Sequence, residues 1–412
     1  MTDPPMRKLN PANFRLATRA TSRDVNRQIA LNLIREHQPL SRADLARRMG
    51  VRRSVITTLV TDLVDARAVV EQPTTEVRRG RPPTLLSIRT TGELALAIDI
   101  RFSRTTLLLC DLEGRPVASQ AFDTVHDPAA LIARIAREAR PLLSGTRRKQ
   151  CEGAGVIVPG MVDQATGVVL YAPQMGWRDV PLRQPLAAAL GVPVQIENAP
   201  AACALAKMWL GRSAGADTTD FAYVIVSDGV GVGLVKHGQV VRGATATAGE
   251  FGHIPFALDG PLCSCGRHGC WEAYTSNLAT VARHLGRPLD DARTRRRRPA
   301  SERRLTVTDV ITFARDGDER AIAALVETGR HLGYGLANII CAINPARIVV
   351  GGEITSAWDL LETSMLEAVA SRTLTPAAAA TPIQPDQTTI SPRLLGGVAL
   401  VAAPRFAMPQ VA

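Results

Sequence analysis

The sequence predicts a small basic winged helix-turn-helix followed by a much larger α/β unit of two lobes, and three observations predict it. A chain of 412 residues exceeds what one hydrophobic core usually serves. The formal charge of +11 is concentrated at one end: residues 1–90 hold 17 Lys and Arg against 8 Asp and Glu, while the rest hold 32 against 30. Beyond residue 90, short apolar runs alternate with helical segments, the pattern of an α/β architecture.

Residues 1–21 are expected to form an N-terminal arm and residues 22–88 the winged helix-turn-helix. From Asn26 to His37, Ile29, Ala30, Leu33 and Ile34 recur at helical spacing until Pro39. Ser41-Arg42-Ala43-Asp44 reads as a capping box opening a short helix through Leu45, Ala46 and Met49, which Gly50 ends. In a third helix, Val55, Ile56, Leu59, Val60, Leu63 and Val64 are expected to be buried, placing Arg52, Arg53, Ser54, Thr57, Thr58 and Thr61 outside. Helix, short helix, glycine turn and longer helix is the order in which the last helix enters the DNA major groove. Val69-Val70 and Leu85-Leu86 can pair as wing strands around a tip containing Arg79, Gly80 and Arg81, a candidate minor-groove probe. Arg42, Arg52, Arg53, Ser54, Thr57, Thr58, Arg79, Gly80 and Arg81 are therefore the candidate DNA contacts, and the local charge excess suits a polyphosphate partner. A solvated basic face on an ordinary three-helix bundle is the plainer alternative.

Two lobes are expected, residues 89–200 and 201–412, the second including the closing C-terminal segment. Strands are expected at Leu94–Ile100, Thr105–Cys110, Gly153–Val158, Val194–Glu197, Ala222–Val226 and Arg347–Val350. No short-period repeat is visible. The stretch Met1–Ala20 lacks the apolar core of a signal peptide, and no segment is long and apolar enough to span a bilayer, so a cytoplasmic protein without a membrane partner is expected.

Seven cysteines argue against a disulfide framework, because Cys263, Cys265 and Cys270 crowd into eight residues downstream of His253. Three thiolates and an imidazole suit a closed, structural Zn2+ site with ligands His253, Cys263, Cys265 and Cys270; His268 is the alternative fourth ligand. An Arg-rich run, Arg293-Thr294-Arg295-Arg296-Arg297-Arg298 with Arg303-Arg304, reads as a surface loop.

Ala248-Gly249-Glu250-Phe251-Gly252-His253, the Cys-x-Cys-Gly-x-x-Gly-Cys run, Trp271-Glu272, Val158-Pro159-Gly160, Glu197-Asn198 and Asn344-Pro345 through Gly351-Gly352 resemble the ROK family of repressors, open reading frames and sugar kinases over roughly residues 90–400. The resemblance implies an actin-like, sugar-kinase-like (ribonuclease H-like) domain. With the basic module in front, it points to the repressor branch, whose members sense sugars or sugar phosphates and form homodimers or homotetramers. It implies that Asn198, Glu250, His253 and Glu272 meet sugar hydroxyls or lie just behind them.

The family pattern also breaks. ROK kinases place a catalytic Asp where this chain has Ala199, and Asp-x-Gly-Gly-Thr where it has Asp99-Ile100-Arg101-Phe102-Ser103. Alanine cannot accept a proton, and bulky side chains replace the glycines that let backbone amides approach phosphate. No ATP and no catalytic residue are expected. The Gly-rich run Ser227–Gly233 is read as retained scaffold. The expected function is a sugar-responsive transcriptional regulator binding a double-stranded operator, with a ligand-independent regulator or an active sugar kinase as alternatives.

Overall fold

The computed structural model describes residues 19–73, 84–89, 92–210, 219–289 and 305–406. They fall into two compact units, one drawn from residues 1–91 together with 402–412, the other from 92–401.

The smaller unit is three helices and a three-stranded sheet. The first helix, Arg19–His37, begins well before the apolar repeat, inside the stretch expected to be an arm. Periodicity could not show this, because the first turns are polar; Arg23 holds Asp62 of the third helix at 2.7–3.0 Å. Arg42–Met49 opens with the expected capping box, Ser41 and Asp44 bonding reciprocally, and stops at Gly50, whose φ of 64° is left-handed. The third helix, Arg53–Asp65, buries Ile56, Leu59, Val60 and Leu63 against Ala30, Ile34 and Leu45. β1 (Leu40–Ser41) and β2 (Val69–Pro73) flank β3 (Thr84–Ile88), which pairs antiparallel with both. The wing strands thus form, while the tip Arg79-Gly80-Arg81 lies outside the described residues. Ala402–Phe406 joins this unit: Gln28 Nε2 donates to Arg405 O at 2.6 Å and Asn32 Nδ2 to Phe406 O at 2.8 Å.

The larger unit repeats one topology. β4 (Leu94–Ile100), β5 (Arg104–Asp111), β6 (Pro116–Asp123) and β7 (Cys151–Val158) lie in the first lobe. A small antiparallel sheet of β8 (Met161–Asp163), β9 (Val168–Ala172) and β10 (Trp177–Pro181) follows, then β11 (Val194–Asn198). The second lobe has β12 (Phe221–Val226), β13 (Val230–Lys236), β14 (Gln239–Val240), β15 (Ile348–Gly351) and β16 (Ile383–Pro385). The sheets read β11-β7-β4-β5-β6 and β14-β13-β12-β15-β16. In each, an antiparallel meander of three strands is extended by two parallel strands reached through helices. The duplication leaves no short-period signature in the sequence.

In the Gly-rich run the loop ends at Gly229, beyond which Val230–Val235 pairs with β12. Its glycines make room for the helix Ala199–Leu210: a side chain at Gly231 would collide with the Pro200 ring, and one at Gly233 with the Pro200 carbonyl. The C-terminal helix Pro392–Ala402 packs on the first lobe's sheet, not the second. Gly397 lies against Ala97 and Gly155, and Arg393 bonds Asp99 at 2.7 Å.

The expected basic run at 293–304 lies outside the described residues. Among the described residues no helix is long and apolar enough to cross a membrane.

The second core is anchored by Trp271, 1% exposed, whose Nε1 donates to His331 O at 2.9 Å. Its indole lies against Gly335 in the long helix Glu319–Ile343, where any Cβ would collide with it. Gly335→Ala should lower unfolding free energy by about 1–3 kcal/mol through overpacking, although alanine is the better helix former by about 1 kcal/mol. Chemical denaturation of the two proteins checks this.

Candidate functional site

Three sets of residues matter: a thiol cluster, the cleft between lobes and the outer face of the third helix. The thiol cluster is assembled by two tight backbone features. Glu250–His253 is a single turn following Gly249 (φ 94°), seated so closely on β13 that a Cβ at Gly249 or Gly252 would meet the Val232 or Val230 carbonyl. The loop 263–270 closes on itself through Cys263 N to Arg267 O and Gly269 N to Pro261 O, both 2.8 Å.

These features bring one ligand atom each from His253, Cys263, Cys265 and Cys270 within 4.8 Å of one another. Cys265 Sγ and Cys270 Sγ are 3.7 Å apart, and Cys263 Sγ lies 3.6 Å from His253 Nδ1. A tetrahedral zinc with Zn–S bonds of about 2.3 Å sets its sulfurs roughly 3.8 Å apart, so the spacing and donor types fit that ion. His268 turns away, its Nδ1 2.9 Å from Gly260 O. Burial pushes the Cys263 thiol pKa up, and the Glu272 charge adds to it.

The residues expected to meet a sugar are divided. Glu250 is beside the cluster, Oε2 3.9 Å from His253 Nε2, so the imidazole faces a thiol on one side and a carboxyl on the other. Glu272 is 6% exposed and both its oxygens are engaged: Oε2 accepts from Val230 N at 3.0 Å and Oε1 from Ser264 Oγ at 2.6 Å. It braces the thiol loop against the turn before β13. Asn198 ends β11 and uses Oδ1 to cap Ala199–Leu210 through Ala201 N at 3.1 Å. Its cavity is lined by Glu197 and Val162 from the first lobe and by Val232, Arg242 and Ala248 from the second, and encloses about 10 Å³. That is the space of one water, far below the several hundred Å³ of an ordinary small-molecule site.

Side chains of the protein itself hold this cleft shut. Arg242 Nη2 reaches Glu197 Oε2 at 2.8 Å across the lobes, with Gln164 bonding the same oxygen. Burial raises the Glu197 pKa, and Arg242 opposes it. On the loop after β4, Arg101 joins Asp99 at 3.1 Å to Glu353 of the second lobe at 2.7 Å. Burial opposes the Glu353 charge, but Arg101 outweighs it and holds that carboxyl below its ordinary value. Asn277 Nδ2 bonds the other Glu353 oxygen at 3.0 Å, and Arg393 completes the chain on Asp99. The sequence marked Arg101 as an obstruction. Its partners lie 252 and 2 residues away, and only the first of these spacings required the fold.

On the third helix, Arg52 stands at the N-cap with Arg53, Ser54, Thr57 and Thr58 all exposed. Val55, expected in the core, is 41% exposed and belongs to this outer face. Its position is about 90° from the middle of the stripe formed by Ile56, Leu59, Val60 and Leu63, which puts it at the stripe's edge. Arg42 bonds Glu71 of the wing strand at 2.7 Å and braces the wing.

Residues 95–403 match the ROK family model and residues 29–80 the MarR family model. The chain is 28% identical to the xylose repressor of Bacillus subtilis (strain 168), covering 87% of this chain and 89% of the relative. It is 27% identical to the DNA-binding transcriptional repressor Mlc of Escherichia coli (strain K12), covering 82% and 83%. The crystal structure of a ROK family transcriptional regulator, a homolog of E. coli Mlc, superposes with a TM-score of 0.76 at 25% identity over 94% of this chain and 97% of the other. A ROK family glucokinase from Streptomyces griseus, in complex with glucose and AMPPNP, superposes at 0.62 and 25% identity over 75% and 98%. A duplicated sheet topology around a cleft, a His-Cys cluster beside it and a family model that spans three quarters of the sequence lead to one conclusion: the chain belongs to the ROK family, with a MarR-type winged helix-turn-helix in front.

Proposed function

We propose that this protein is a cytoplasmic transcriptional repressor that binds operator DNA as a homodimer or homotetramer and answers to a sugar in the interlobe cleft. The observation that carries the reading is the pairing of an exposed, arginine-flanked helix with a kinase fold whose base position holds Ala199 and whose lobes are tied by Glu197–Arg242 and Arg101–Glu353. The repressor names of the relatives support it. Xylose, named for the Bacillus relative, is the first sugar to test.

No side chain stands at Ala199 to take a proton from a sugar hydroxyl, and Arg101 fills the loop where nucleotide phosphate would approach backbone amides. Catalysis and ATP are therefore not part of the reading. The sugar would be held by the Asn198 amide and by Glu250, with His253 behind it, after the Glu197–Arg242 pair parts to admit it. Ligand and DNA then compete or cooperate through the lobe arrangement each prefers. The 10 Å³ left beside Asn198 also favours a second reading, a regulator whose cleft takes no ligand. Thermal unfolding with a panel of pentoses, hexoses and their phosphates separates the two: a shift with one sugar supports the sensor, none with any supports the second.

The deciding experiment is recovery of genomic fragments bound by the purified protein. Enrichment of an inverted repeat beside sugar-transport or catabolic genes supports a carbohydrate-responsive repressor; no enrichment over background overturns it.

His253, Cys263, Cys265 and Cys270 would hold Zn2+ as a closed structural site, stapling the loop that positions Glu250. Cys265→Ser should reduce bound zinc from one ion per chain to near none by elemental analysis and lower the melting temperature. Full zinc retention would remove Cys265 from the ligand set. Arg53→Ala should weaken binding to all duplexes by a similar factor and reduce the salt slope by about 1, measured by titration at several ionic strengths.

A further inference from the structure

The outer face of Arg53–Asp65 has a narrower hydrogen-bonding repertoire than its composition suggests. Thr57 Oγ1 donates to Arg53 O at 3.0 Å and Thr58 Oγ1 to Ser54 O at 3.4 Å. A threonine hydroxyl has one proton, so these two residues are left with oxygen lone pairs and a methyl group each to offer a partner. Val55 stands three residues before Thr58, on the same row of the helix, and exposes 41% of its surface. An apolar, β-branched side chain set among arginines on a solvent face gains nothing from water. It gains where an apolar group comes to meet it.

Major-groove edges differ in what they offer such a face. An A·T pair presents the adenine N6 amino donor and the thymine methyl, whereas guanine presents two acceptors and its pair has no methyl. Cytosine's N4 amino group also donates, so the acceptor lone pairs accept from either pair; selection rests on the methyl-bearing side chains, which only thymine's methyl matches, and on guanine's acceptors finding no donor at these positions. Arg52 and Arg53, at the helix start, are placed to serve phosphate.

We propose that Val55 and Thr58 on one row of this helix, and Thr57 on the row of Arg53, read thymine methyls at separate base pairs, so that each operator half-site carries A·T pairs where these side chains meet the major groove. The proposal rests on the reading of the chain as a sequence-specific DNA-binding protein and adds which bases it selects and by which groups.

The test uses the full-length protein. Duplexes are first selected from a random pool, and each thymine in the selected half-site is then replaced singly by deoxyuracil, which removes only the methyl. One or two positions per half-site should lose about fourfold in affinity, the worth of one buried methyl. At the thymine that Val55 meets, the same replacement should have no effect on Val55→Ala, whose circular dichroism should match the parent because Val55 is not in the core. Thr57→Ser, which keeps the oxygen and drops the methyl, should lose sensitivity only at its own position. Selection of G·C pairs at the centre of the half-site, or deoxyuracil without effect in the parent protein, overturns the proposal while leaving specific DNA binding intact. If no sequence is selected over bulk DNA, the proposal and the DNA-binding reading fall together.

Discussion

The two sheets of the larger unit can share a cleft only because the elements running between them carry little side-chain volume. Ala199, Ala201, Ala202, Cys203, Ala204 and Ala206 are all buried in one helix, with one face on Ile157 and Ala399 and the other on Phe221 and Tyr223. Gly396 presses on Ala202, and Gly397 on Ala97 and Gly155. Interiors packed to crystal-like density leave no slack for a larger residue at such crossings. The position of every cleft residue depends on this close approach, since Asn198 begins that helix and Pro200 sits on the two glycines of β13.

Charges inside the cleft occupy the space that this frame leaves. Asp99, Glu197 and Arg393 are each under a tenth exposed, and each has an ionic partner. Buried pairs of this kind contribute little net stability, because desolvation offsets most of their attraction. What they specify is an arrangement, since separating the lobes breaks Glu197–Arg242 and Arg101–Glu353 while Glu197 keeps Gln164, Arg101 keeps Asp99 and Glu353 keeps Asn277. A polyol, rich in hydroxyls that donate and accept, is a chemically suitable substitute.

Much of the fold was legible in the sequence because its signals are local. The capping box at Ser41, the stop at Gly50 and the apolar runs at Leu94 and Phe221 each depend on a few neighbouring residues. The thiol cluster was legible for the same reason, its donors lying within eighteen residues of sequence, from His253 to Cys270. What could not be read was set by partners far away. The polar start of the first helix is held by Asp62, the strand character of Val230–Lys236 by β12, and the closure of the cleft by pairs such as Arg101 and Glu353. The family resemblance implies that Glu272 meets sugar hydroxyls or lies just behind them. Its commitment to Val230 N and Ser264 Oγ is visible only once the loop is folded.

The end of the chain is gripped in an unusual way. Gln28 and Asn32, one turn apart on the first helix, present their amides to the main-chain carbonyls of Arg405 and Phe406, while Arg35 lies over the Phe406 ring at 5.0 Å. Two of these three holds recognise backbone and are indifferent to which side chains pass by. The tail is therefore measured by length: one residue more or fewer after Ala402 would slide the ring out of reach of the guanidinium and put the wrong carbonyls on the amides.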